Sequence, residues 1–242
     1  MMTEQNRPPT LTQDETPTSS QTQNQNKRSA QTYYLKTPLE KEDVLKLNAG
    51  DIVYLSGMIL TARDEAHLRM IEFDEEKKPL PFDLENAVLY HCGPVMEKLS
   101  DENADDQTDK KNESKNGKGG DKWRVVAAGP TTSDRMTKMT PTVLKNHTIS
   151  ALIGKGGMEN IADILNQKCV YLSYTGGCAA MAAEMIQTVD TVFWEDLGMP
   201  EAVWMLTVQE FGPLIVGVDA HGNDIFRDVK EKANSVFKKM KG

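Results

Sequence analysis

The sequence predicts an α/β fold with a sheet that is parallel in its middle and mixed towards its end. Apolar, β-branched runs end in glycine and pass into helix-compatible stretches at Lys122 to Gly129, Thr148 to Gly157 and Cys169 to Gly177. Parallel neighbours need a crossover connection, usually a helix, so a repeated unit of strand, glycine turn and helix reads as a parallel arrangement. The final third, Thr191 to Phe226, holds further strands, Leu214 to Val218 among them, with Ala220-His221-Gly222-Asn223 as a turn, and this makes the sheet mixed.

Taken in order, the turn signal Asn48-Ala49-Gly50 precedes a strand over Asp51 to Ala62. That strand ends in Arg63-Asp64 and is followed by a helix-compatible stretch, Glu65 to Glu72. Asn86 to Tyr90 is a second strand, closed by His91-Cys92-Gly93-Pro94, and Lys122 to Ala128 is a third, broken by Gly129-Pro130. Thr131-Thr132-Ser133-Asp134 supplies hydroxyl and carboxylate groups able to cap a helix or turn, and Pro141 suits the first turn of a helix running to His147. Thr148 to Ile153 is the next strand, ended by Gly154-Lys155-Gly156-Gly157, with a helix expected over Met158 to Gln167. Cys169 to Tyr174 is again a strand, and Gly176-Gly177 leads into an Ala-rich helix over Cys178 to Gln187.

Hydrophobic residues make up 38% of the 242, and they are unevenly spread. Residues 1–30 hold Gln, Thr, Asn and Pro with no aromatic residue, too little apolar surface to offset the entropy of ordering, and are expected to be a disordered tail. A second such stretch, residues 100–122, is expected to be a solvated polar insertion between two strands, since loop closure entropy grows only logarithmically with length. The remainder of 31–242 is one domain. A net charge of −8 argues against nonspecific nucleic-acid binding, which needs a cationic surface to displace counterions. No apolar run approaches the ~18 residues that span a bilayer, and no secretion signal opens the chain, so a cytoplasmic location is expected. Cys92, Cys169 and Cys178 lack CxxC spacing and are expected to be reduced and structural, and any metal would have to come from elsewhere.

Ligands of parallel sheets sit outside the carboxyl ends of the strands. Thr131, Arg135, Lys155 and Gly176-Gly177 all fall on that side, and two cations with a hydroxyl suit a small, multiply charged anion such as a carboxylate or phosphate. Read one by one, each has a plainer meaning: Gly154-Lys155-Gly156-Gly157 is equally a tight turn, Thr131 and Thr132 equally caps, and Arg63-Asp64 equally a surface ion pair. The Gly-Lys-Ser/Thr ending of a nucleotide P-loop is missing. His67, His91, His147 and His221 show no ligand spacing and read as structural, and Trp194, Met199, Trp204, Met205 and Phe211 read as core.

Five motifs in fixed order carry more. Thr61-Ala62-Arg63-Asp64-Glu65-Ala66-His67, Tyr90-His91-Cys92-Gly93-Pro94, Gly129-Pro130-Thr131-Thr132-Ser133-Asp134-Arg135-Met136, Gly154-Lys155-Gly156-Gly157-Met158 and Glu195-Asp196-Leu197-Gly198-Met199-Pro200-Glu201 follow one another. The series resembles the beta subunit, or carboxy-terminal domain, of iron–sulfur class I fumarate hydratases and L(+)-tartrate dehydratases, over about Thr37 to Phe226. The resemblance implies a swivelling β/β/α domain of a hydro-lyase acting on a dicarboxylic acid. It implies a [4Fe-4S] cluster held by three cysteines of a separate alpha subunit, none of them from this chain, in a heterotetramer of two alpha and two beta chains. It further implies that Arg63, Arg135 and Lys155 hold substrate carboxylates and that Thr131 exchanges the carbon-bound proton with an acidic partner from the alpha subunit. Interconversion of fumarate and (S)-malate, as in the tricarboxylic acid cycle, is the expected reaction. Dehydration of L-tartrate to oxaloacetate is the alternative, and a noncatalytic dicarboxylate-binding module is the reading from a different class.

Overall fold

The computed structural model describes residues 28–99 and 122–241. Strand β1 (Thr32–Lys36) is followed by the short helix α1 (Lys41–Lys46), whose first turn is closed by a reciprocal capping box between Glu40 and Asp43. Next come β2 (Ile52–Thr61), α2 (Asp64–Glu75) and β3 (Ala87–Tyr90), then a hairpin of β4 (Val95–Leu99) and β5 (Lys122–Ala127). The remaining order is α3 (Thr140–Asn146), β6 (Ile149–Gly154), α4 (Ala162–Leu165), β7 (Val170–Ser173), α5 (Ala179–Glu184), β8 (Ile186–Phe193), β9 (Val203–Val218) and α6 (Ile225–Lys241).

Seven strands form one mixed sheet in the order β1-β2-β3-β6-β7-β9-β8. Strands β1, β2, β3, β6 and β7 run parallel, whereas β9 is antiparallel to β7, β8 and β2. Because β9 pairs with both β7 and β2, the circuit β2, β3, β6, β7, β9 closes on itself. A closed circuit has an inside and an outside, and consecutive strand residues divide between them as a period of two requires. Val88 and Tyr90, Ala151 and Ile153, and Val170 and Leu172 enter one apolar cluster with Leu55, Phe211 and Val216. Their alternates Leu89, Leu152 and Tyr171 enter a second cluster with Met70 of α2, Val143 of α3 and Leu165 of α4. With both faces covered, β3 and β6 are buried along their whole length.

The turn after β9 is fixed to the turn before β2 by one carboxylate. Asp219, fully buried, accepts hydrogen bonds from the Ala49, His221 and Asn223 amides at 2.9 Å each and from Asn223 Nδ2 at 2.8 Å. Arg28 donates to Asp51 at 3.0 Å, so the expected tail over 1–30 already has a side-chain contact at its last few residues. Residues 1–27 of that tail and 100–121 of the expected insertion lie outside the described residues.

Three expected elements come out differently. The strand Lys122 to Ala128 does not join the parallel sheet: it pairs antiparallel with β4, a partner not read from the sequence, and the turn after it is a 3-10 turn over Ser133–Met136. The helix expected over Met158 to Gln167 is confined to Ala162–Leu165, because Asn160 and Gln167 adopt left-handed backbone at φ 55° and 59°. The helix expected over Cys178 to Gln187 stops at Glu184, where Ile186 begins pairing with Val208 of β9 and is fully buried. Strand β1 and helices α1 and α6 were also not read from the sequence. All of α6 from Arg227 onward is exposed, including Val229, Val236, Phe237 and Met240.

Phe211 packs its ring 5.3 Å from Tyr90 and 5.1 Å from Tyr174 at the closure. Phe211→Ala is expected to lower the free energy of unfolding by about 3–5 kcal/mol in urea titrations, and a loss below about 1 kcal/mol would show that the closure is not tightly packed there.

Candidate active site

The carboxyl ends of β2, β3, β6 and β7 lie side by side, and each delivers a part of the site. Arg63 follows β2 at the N-cap of α2, with extended backbone at φ −120° and ψ −157°. Its Nη2 lies 3.4 Å from Glu201 Oε1 and 3.8 Å from Asp64 Oδ2, and its Nε is buried without a hydrogen-bond partner among the described residues. Glu201 Oε2 also accepts from the Glu65 amide at 3.1 Å, in the first turn of α2. Gly93, just beyond β3, leaves room for the arginine: a Cβ there would overlap Arg63 Nη1 and stand 2.8 Å from the Pro200 carbonyl oxygen.

Asp64 faces a second guanidinium, since Arg135 Nη2 lies 2.9 Å from the same Oδ2. That oxygen is buried yet has no aligned hydrogen bond, so the contact is Coulombic rather than directional. Arg63 and Arg135 thus converge on one carboxylate from two elements. Arg135 is half exposed and Arg63 mostly covered.

Thr131 and Lys155 meet through the backbone. The Thr131 amide donates to the His91 carbonyl at 2.7 Å, the Lys155 amide to the Thr131 carbonyl at 3.0 Å, and the Ser133 amide to the Lys155 carbonyl at 3.0 Å. The segment from Pro130 to Ser133 is therefore a strand fragment wedged between the ends of β3 and β6, antiparallel at Cys92 and parallel at Lys155. The Lys155 side chain is exposed and lies over Gly176, where an added Cβ would stand 3.1 Å from its Cδ. All four residues expected from the sequence stand on the same end of the sheet, two tied through Asp64 and two through a backbone ladder. A cavity of about 330 Å³, which reaches this turn at Asp134 and runs to Met158, Glu159, Phe226 and Lys230, contains none of the four.

Sequence reasoning treated His67 and His91 as structural and gave Ser133, Tyr171, Asp64 and Glu201 no site role. His91 is fully buried, with Nδ1 2.8 Å from Ser133 Oγ, and its ring centroid lies 5.4 Å from that of His67. Since a carbonyl can only accept, His67 Nδ1 carries the proton it donates to the Arg63 carbonyl at 2.7 Å. All of these residues but Tyr171 lie in the five motifs, and their roles depend on contacts between residues distant in sequence.

The three cysteines are free and buried. Burial pushes the Cys92, Cys169 and Cys178 thiols above their ordinary range, which disfavours the thiolate that ligates a metal. Among the described residues no group of three His, Cys, Asp or Glu side chains is arranged to hold a metal ion. The described residues of this chain do not fit an iron–sulfur cluster. Among the same residues, no helix is long and apolar enough to cross a membrane.

Fold and site together define an α/β domain that gathers Arg63, Arg135 and Lys155 at one open end of a closed sheet. Comparison with known proteins makes this specific. The family model described as the fumarase C-terminus matches residues 5–229, and the chain belongs to that family. A putative L(+)-tartrate dehydratase subunit beta from Methanocaldococcus jannaschii is 44% identical over 210 residues, covering 86% of this chain and 96% of that protein. The L(+)-tartrate dehydratase subunit beta of Escherichia coli K12 is 36% identical over 199 residues, covering 81% and 88%. A putative fumarate hydratase class I from Geobacillus stearothermophilus is 35% identical over 201 residues, which cover 82% of this chain and 34% of that protein. Named relatives of this chain are thus hydro-lyases, and one of them carries the matching region as a third of a longer chain.

Burial holds the His91 imidazole well below its ordinary value of 6.5, and the neighbouring His67 adds to the shift. Burial also lowers His67, against the opposing Arg63 carbonyl and Asp64 charge. Both rings are neutral when folded, while the unfolded chain takes up their protons below about pH 6.5, so stability falls as pH drops. Urea unfolding between pH 6.5 and 5 is expected to show a free energy declining with acidity by up to about 1.4 kcal/mol per pH unit for each ring. A flat profile would contradict neutral burial.

Proposed function

We propose that this chain is the beta subunit of a hydro-lyase that adds or removes water across a four-carbon dicarboxylic acid. The observation that carries this reading is the convergence of Arg63 and Arg135 on the Asp64 carboxylate, beside Thr131 and Lys155. Two guanidiniums already gathered around a carboxylate suit a substrate with carboxylates of its own, because a planar fork can meet each through paired bonds whereas Lys155 acts as a point charge.

Elimination of water next to a carboxylate begins with loss of a carbon-bound proton, which builds a second negative charge onto that carboxylate. Arg63, Arg135 and Lys155 would stabilise that charge, and they do so most strongly where water is excluded. Thr131 would hold or move the proton at its Oγ1, with the same cations favouring the alkoxide-like form that a threonine rarely reaches in water. The leaving hydroxyl needs an acid, and this reading assigns it to the alpha chain. An iron–sulfur cluster on a separate alpha subunit would supply Lewis acidity towards that hydroxyl. A swivelling domain, an assembly of two alpha and two beta chains and a cytoplasmic location belong to the same proposal.

The sequence put fumarate and (S)-malate first. The names of the two most identical relatives given above favour L(+)-tartrate as the first substrate to assay. (S)-Malate and L(+)-tartrate differ by a hydroxyl on one carbon skeleton, and the contacts that separate them would lie partly on the alpha chain. Anaerobic co-expression with the alpha chain and assays on both acids decide the substrate. Thr131→Ala is expected to lower kcat by about 10²–10⁴-fold while the subunits still assemble. Arg135→Lys, which keeps the charge but loses the fork, is expected to raise KM by about tenfold or more. A complex that binds dicarboxylate but turns over neither acid would favour the noncatalytic module.

A further inference from the structure

We infer that Ser133 is a positioning residue: its buried hydroxyl, held by His91 and Tyr171, sets the turn that carries Thr131 and Arg135. The inference rests on reading those two residues as facing substrate. Ser133 and His91 have no measurable exposure, and Tyr171 is equally covered. Ser133 Oγ lies 2.8 Å from His91 Nδ1 and 3.0 Å from the Tyr171 hydroxyl, which donates to the Gly156 carbonyl at 2.7 Å.

The protons of this group can be placed by elimination. Gly156 offers only a carbonyl, so the phenol proton goes there. To satisfy the Ser133 to Tyr171 contact, the serine proton must then go to the phenol oxygen. His91 must in turn donate from Nδ1 to Ser133 Oγ. One directed chain results, from His91 through Ser133 and Tyr171 to Gly156, and it leaves His91 Nε2 as the bare ring nitrogen, which has no partner among the described residues.

The chain ties together three strands. His91 follows β3, Gly156 follows β6 and Tyr171 lies in β7, with Ser133 at the junction. Two of these elements, the ends of β3 and β6, also hold the backbone of Thr131, through the hydrogen bonds from the Thr131 amide to the His91 carbonyl and from the Lys155 amide to the Thr131 carbonyl. Space is reserved for the hydroxyl as well: a Cβ on Gly154 would overlap Ser133 Oγ and stand 3.1 Å from His91 Nδ1. Glycine at 154 therefore reads as room for Ser133 rather than as turn flexibility. Removing the hydroxyl would leave the buried His91 ring without a hydrogen bond among the described residues, in a place too covered for bulk water to replace it.

Hydrogen exchange on the isolated chain tests the positioning directly. In Ser133→Ala the Thr131, Ser133 and Lys155 amides are expected to exchange about tenfold faster, while Leu55 and Phe211 at the sheet closure keep their wild-type rates. Unchanged rates at the three amides would overturn the proposal, and so would uniform loosening of the whole domain. Should Ser133→Ala fail to fold, Tyr171→Phe reads the same amides with the serine in place, and unchanged rates there would be equally fatal. A double-mutant cycle adds a steric arm: Gly154→Ala should loosen these amides in the wild type and do so less in Ser133→Ala, whereas equal effects in both backgrounds would refute the contact. In the assembled enzyme, Ser133→Ala should raise KM and lower kcat together, each by about tenfold, at unchanged subunit assembly. A wild-type complex inactive on both acids would overturn the catalytic reading, while the exchange results would still decide whether Ser133 sets the turn.

Discussion

The site depends on the closure of the sheet by β9. That strand pairs along one stretch with β2 and β8 and along another with β2 and β7, so four parallel strands are wrapped into a circuit rather than laid out in a row. Neighbouring strands stand about 4.8 Å apart, and a closed circuit keeps the ends of β2, β3, β6 and β7 within reach of one another. The apolar cluster of Leu55, Tyr90, Leu172, Phe211 and Val216 provides the driving force, because it fills the space that closure creates. Asp219 then fixes the exit of β9 against the entry of β2, using backbone amides that would otherwise lack partners.

On this frame the two arginines are held in place by the chain's own carboxylates. Arg63 has Glu201 and Asp64 within 4 Å, and Arg135 has Asp64. A guanidinium left without an acceptor in so covered a place would be costly, whereas one gripped on every donor could not receive a substrate. Among the described residues, Arg63 Nε has no partner and Asp64 Oδ2 no aligned hydrogen bond, so the local pairing there leaves hydrogen-bonding capacity unused. Below this charged surface the polar groups are neutral. His67 and His91 are kept uncharged by burial, and Ser133 and Tyr171 are joined by hydrogen bonds. Around the site, charge thus stays at the open end, and the groups beneath it fix the backbone.

The strand and glycine pattern made β2, β3, β6 and β7 legible within a few residues, because buried parallel strands write themselves as short apolar runs punctuated by turns. Elements decided by pairing were less legible. Ile186 reads as the tail of an Ala-rich helix until Val208 of β9 lies opposite it, and Lys122 to Ala128 looks like another parallel strand until β4 takes it into a hairpin. Thr131, Arg135 and Lys155 could be picked out because charge and hydroxyl at strand ends are visible in one dimension, whereas Arg63 reads as a surface ion pair until the motif order is considered. Asp64, Glu201, His91 and Ser133 could not, since each acquires its role from a residue dozens of positions away.

The sequence by itself determined which residue types stand at the carboxyl ends of the strands, which family the motif order resembles, and that no cysteine spacing supports a metal site. Those properties are local, set by periodicity, turn chemistry and residue identity. Only the tertiary structure decided that β9 closes the sheet, that two arginines share one carboxylate, and that a buried serine joins groups from three strands. Each of these depends on contacts across long stretches of chain, and the geometry of such contacts is fixed by packing rather than by any neighbouring residues in the sequence.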